Sequence, residues 1–135
     1  MSGGVEEVLA LLNAITNHTT YDGKVPPDTA PPYTVVYFTI TTPGGEVAPD
    51  AVDLVGNSDV IVLNIYTHNV GGNAQAARAV GWKVRAALLN IKPVVAGRVC
   101  HPIRQVDDAP PVKDESTGTL IMDLADVYRL RSVPA

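Results

Sequence analysis

Three histidines, one cysteine and a glycine pair are the residues of this chain best suited to chemistry. His68 follows the β-branched and aromatic run Val60 to Thr67 and precedes the polar stretch His68-Asn69-Val70-Gly71-Gly72-Asn73. A histidine between a strand and a turn is a fair place for a general base, with Asp53 or Asp59 as orienting carboxylates. A surface or interface histidine explains the same pattern more simply. Cys100 and His101 are adjacent, so on a strand they point to opposite faces and form no dyad by themselves. No pair among His18, His68 and His101 has the spacing of a metal site. Gly71-Gly72-Asn73 occupies the position of a phosphate loop, but lacks its lysine and the three-glycine dinucleotide spacing. It reads as a tight turn and a helix N-cap. The expectation is therefore no catalytic residue, no cofactor and no metal.

The charged residues divide into two groups. Asp107, Asp108, Lys113, Asp114 and Glu115 crowd a stretch with two prolines, between 107 and 118. Their spacing is not that of a calcium loop, and they read as a solvated docking loop. Arg78, Lys83 and Arg85 lie off the apolar stripe of a helix, and Arg129 and Arg131 lie on the polar face of a strand. These five are candidates for contacts with another subunit or a partner. They are too few to make a nucleic-acid groove, and a net charge of −4 disfavours non-specific binding to phosphates.

The elements that must position these residues follow from periodicity. Val5, Val8, Leu9, Leu12 and Ile15 predict an amphipathic helix over 5–16, with Glu6 and Glu7 at its positive end. Residues 21–32 are a proline-rich extended approach. Tyr33 to Thr41 is a strand with strand formers on both faces, which predicts a covered, central position. Residues 46–59 read as a long loop. Val60 to Thr67 is the next strand. Ala74 to Leu89 is a helix whose stripe of Ala74, Ala77, Gly81, Val84 and Leu88 lets it lie close to a sheet. A strand lies within 94–106, and Pro102, which lacks a backbone donor, places it at an edge or makes it start near Pro102. The last strand, 119–132, alternates Leu120, Met122, Leu124, Tyr128 and Leu130 against Asp123, Arg129 and Arg131. Asp126 breaks its apolar face and suggests a bulge. The expected fold is α+β: a mainly antiparallel sheet of about four strands with two helices on one face.

A length of 135 residues predicts one domain. With 46% hydrophobic and 18% charged residues it can build a core without staples. One cysteine excludes an intramolecular disulfide. The first residues carry acids where a signal peptide carries bases, and no apolar run is long enough to cross a membrane.

Several segments together resemble the tail terminator (tail completion) proteins of long-tailed bacteriophages, the actinobacteriophage type in particular. They are Tyr21-Asp22-Gly23 with Val25-Pro26, Pro32-Tyr33-Thr34-Val35-Val36-Tyr37, the helix from Ala76 to Leu88, and the closing Asp126-Val127-Tyr128-Arg129-Leu130. The likeness runs in order through most of the chain and is weakest from Thr41 to Asp59. It implies a structural protein of the virion, made in the host cytoplasm and placed at the head-proximal end of the tail. There it would form a homo-oligomeric ring, usually a hexamer, on the tail tube. Such a ring stops tube growth, offers a surface to the head-tail connector protein and lets DNA pass without specific binding. A neck or head-closure component is the nearest alternative. A small enzyme built on His68 and a generic oligomeric binding module are the others.

Overall fold

The computed structural model describes residues 3–41, 60–108, 112–114 and 121–135. Within them the order is α1 (Val5–Asn13), β1 (Thr20–Asp22), β2 (Tyr33–Thr41), β3 (Ile61–Gly71), α2 (Ala74–Leu88), β4 (Arg98–Cys100), β5 (Arg104–Asp108), β6 (Val112–Asp114) and β7 (Ile121–Pro134). The strands form one sheet in the order β1-β2-β3-β7, with β4, β5 and β6 each pairing with the far side of β7. The α+β class and the dominance of antiparallel pairing hold. The sheet has seven strands rather than about four, and β1 runs parallel to β2.

The centre is β3 against β7, in unbroken register from Ile61↔Ser132 to Gly71↔Met122. Side chains opposite one another share a face. Leu63, Ile65, Tyr128 and Leu130 therefore point to one side, where Val8, Leu12, Val84 and Leu88 complete the core. Both helices thus pack on one face, as the stripes require. The stripe of α2 is buried at Ala77, Val80, Gly81, Val84 and Leu88. Asn73 caps this helix, its side-chain oxygen accepting from the Ala76 amide at 2.8 Å. Gly71 must be glycine for a steric reason, because an added Cβ would lie 2.4 Å from the Ala77 backbone nitrogen.

The structure corrects several boundaries. Helix α1 stops at Asn13 rather than reaching residue 16. The approach to Tyr33 includes the short parallel strand β1, so it is not wholly irregular. Strand β2 is covered only in its first half; Tyr37 and Ile40 are exposed. Strand β3 does not end at Thr67. It continues through His68-Asn69-Val70-Gly71, because the polar Asn69 finds buried partners in neighbouring strands. The strand expected across Pro102 is split into β4 and β5, and between them Ile103 turns inward and is fully buried. Residues Asp107, Asp108, Lys113 and Asp114 belong to β5 and β6 rather than to a loop. Glu115 lies outside the described residues, as does most of the interval from Thr41 to Asp59. Asp126 makes no bulge in β7. The irregularity sits opposite, in β5 between Gln105 and Asp107.

Candidate functional site

Two surfaces gather polar side chains. The first is the open face of the sheet, opposite the helices. His68 and Asp123 meet here, brought together by the β3–β7 register. The Nδ1 of His68 lies 3.0 and 3.2 Å from the two carboxylate oxygens of Asp123. That hydrogen bond raises the His68 pKa above its ordinary value; partial burial opposes the rise and the carboxylate charge adds to it. The Tyr37 ring stands edge-on to the imidazole, with centroids 5.7 Å apart. The carboxylate beside His68 is thus Asp123. Asp53 and Asp59, the partners suggested by sequence, lie outside the described residues. A histidine oriented by a carboxylate is two parts of a proton relay. No group of His, Cys, Asp or Glu among the described residues could hold a metal ion.

The second surface runs along the β5 edge and is built from arginines. On its helix side, a groove of about 170 Å³ lies between α2 and β7, lined by Arg78, Gly81, Trp82, Arg85, Gln105, Leu124, Asp126 and Tyr128. Gly81 leaves room for Leu124, which an added Cβ would approach to 3.3 Å. The Arg85 guanidinium sits 5.6 Å from the Trp82 ring centre and donates to Gln105 Oε1 at 2.8 Å. On the open-face side, a hollow of about 360 Å³ is lined by His101, Pro102, Arg104, Val106, Arg129 and Arg131. Arg104 and Arg129 are direct cross-strand partners, an arrangement in which like charges repel. A third depression, lined by Arg85, Leu89, Arg104, Gln105, Val106 and Asp107, joins the two.

The five cationic candidates are therefore not one cluster. Arg78 and Arg85 line the groove, Arg129 and Arg131 line the hollow, and Lys83 stands apart, near enough to His18 for its charge to be felt there. The hollow also takes Arg104, and the groove takes Trp82, neither of which sequence reasoning selected. Trp82 and Arg85, three apart on a predicted helix, were the available signal. Arg104 gave none, because the break at Pro102 hid its register. Asp107 stands exposed at the end of β5, beside the arginines. Cys100 is buried, and that burial raises its thiol pKa.

No family model and no curated protein matches this chain. Among solved structures it is similar to a chain of the virion of native gene transfer agent (GTA) particle. The TM-score is 0.61 at 15% sequence identity, covering 93% of this chain and 84% of that chain. At that identity the likeness shows a shared fold over nearly the whole length.

Proposed function

We propose that this chain is a structural protein of a phage-like virion, the subunit of a tail terminator ring. In this reading a hexamer caps the tail tube, stops its polymerisation and provides the surface that the head-tail connector joins. DNA passes through the ring without specific binding. The observation that carries the reading is the fold shared with a virion chain over 93% of the sequence. The ordered resemblance of the sequence segments to tail terminators supports it independently. The acidic segment Asp107, Asp108, Lys113, Asp114 and Glu115 is the proposed docking element toward the tube. A tube cap needs surfaces rather than a reaction centre, and both the open sheet face and the β5 edge supply them.

The test is negative-stain microscopy of the purified protein, alone and mixed with tail tube subunits. Rings that seat on tube ends and limit tube length are the expected result. Tubes of unrestricted length in the presence of excess protein would overturn the reading. Rings that bind connector but ignore tube ends would move the protein to the neck.

A further inference from the structure

The arginine edge has a charge that the rest of the molecule lacks. The groove, the joining depression and the hollow share lining residues, so they form one band around β5. That band holds Arg78, Arg85, Arg104, Arg129 and Arg131, half of the ten basic residues in the chain, with Asp107 and Asp126 as its carboxylates. Outside it the sequence carries twelve acids against five bases.

Three of these arginines are held by neutral amides. Arg85 donates to Gln105 at 2.8 Å, Arg104 to Asn90 at 3.0 Å and Arg129 to Asn64 at 3.1 Å. An amide oxygen fixes the direction of a guanidinium without cancelling its charge. The band is also apolar in places. Trp82, in the groove, is 67% exposed, and Val106, in the joining depression and the hollow, is 46% exposed. Oriented arginines beside an exposed tryptophan are the composition of a protein–protein hot spot.

We propose that this band is one half of a head-to-tail contact between copies of the chain, receiving an acidic surface of the neighbouring subunit. A second copy supplies the complement, since the rest of the sequence carries seven more acids than bases. The band cannot face itself across a two-fold axis, because that contact would oppose like charges. In the ring reading the contact is heterologous, and a heterologous contact closes into a ring when its rotation permits. A phosphate backbone would use the arginines but leave Trp82 and Val106 without a role, and it would approach a chain of net charge −4. The inference rests on the ring reading above and names the surface that builds the ring.

The experiment is sedimentation of the full chain across concentration at low and physiological salt, with Trp82 emission followed in parallel. Trp82 is the only tryptophan, so its emission reports on the band. The wild type should self-associate, more weakly as salt rises. The double variant Arg104→Glu/Arg131→Glu should weaken association by about tenfold or more, and Trp82→Ala should do likewise. Lys83→Glu, on the same helix but outside the band, should change little. Circular dichroism checks that each variant is folded, and Arg131→Gln serves if the double variant is not. Variants that assemble like the wild type overturn this assignment and leave the ring reading intact. A wild type that stays monomeric, or one that binds duplex DNA through these arginines without self-association, also overturns it. The tube-capping experiment then decides separately whether the ring reading survives.

Discussion

The side-chain amide of Asn69 donates to Asp126 Oδ2 at 3.3 Å, tying β3 to β7 beneath helix α2. This bond is the middle of a longer chain. His18 meets the Thr34 hydroxyl at 2.7 Å, and Thr34 donates to Asn69 Oδ1 at 3.1 Å. Gln105 donates to Asp126 at 3.4 Å, and Arg85 donates to Gln105. Asp126 is only 6% exposed, and Thr34 and Asn69 are fully buried. A buried polar group left without its partner costs about 1–3 kcal/mol. Asn69→Leu should therefore lower unfolding free energy by about that amount in urea titrations. Combining it with Thr34→Val should cost less than the two separate losses added together, since the pair is directly bonded. Strict additivity would show that the network is not coupled.

The pKa values of His18 and His68 are displaced in opposite directions. The His18 pKa is lowered, first by burial and then by the charge of Lys83. Its Nε2 faces the Thr34 hydroxyl, which already donates to Asn69, so Nε2 carries the proton and Nδ1 is left buried among the described residues. Protonating Nδ1 would bury an unmatched donor. The unfolded chain thus takes up that proton more readily, and stability from His18 is lost as pH falls through about 6.5. His68 has the reverse sign: its contribution is present below about 6.5 and is lost as pH rises through its elevated folded value. Being partly open to solvent, the His68–Asp123 pair is worth no more than about 1 kcal/mol. Histidine ring NMR should place His18 below and His68 above the ordinary range, and Asp123→Asn should bring His68 down. A His68 signal unmoved by Asp123→Asn would refute the pairing.

The strand-turn-helix unit from Val60 to Leu89 was legible because every level agreed. β-branched residues made the strand, Asn73 made the cap, and small residues every three or four positions made the close-packed stripe. What stayed hidden depended on pairing across long separations. The partner of His68 lies 55 residues away, and no local pattern reveals a register. Likewise, polarity ended the predicted strand at Thr67, whereas buried partners from β2 and β7 let it continue to Gly71. The acids of β5 and β6 read as loop because β7 supplies the pairing that their own sequence does not ask for.

Leu12→Ala and Leu88→Ala should each destabilise by about 2–5 kcal/mol, because both side chains are fully buried where the two helices and the sheet meet. Gly71→Ala should cost about 1–3 kcal/mol by forcing apart the backbone at the start of α2. Calorimetry of the three variants checks this, and a parental melting temperature in any of them would mean that its packing is misassigned.

The docking segment is best tested by charge rather than by deletion. Replacing residues 109–117 would remove β6, which pairs with β7 from Val112↔Asp123 to Asp114↔Ile121. Changing Asp107, Asp108 and Asp114 to Asn and Glu115 to Gln keeps the chain length. We expect a melting curve close to the parent and a loss of tube capping, seen as overlong tubes by microscopy. Normal tube length with this quadruple variant would remove the segment from the docking surface.

Strand β7 has an implication for how the protein is made. It pairs with β3 on one side and with β4, β5 and β6 on the other, yet it follows all four along the chain. During synthesis these strands leave the ribosome before the template that will order them exists. Strand β3 waits at least 50 residues for its main partner, with β2 as its strand neighbour and α2 on one face. Pairings separated so widely make for slow, late closure of the sheet, and exposed strand edges in the interval invite association between nascent chains. The hazard is greatest at high expression, when many unfinished copies stand close together, and a chaperone that shields β3 until residue 134 has emerged would raise the yield of folded protein.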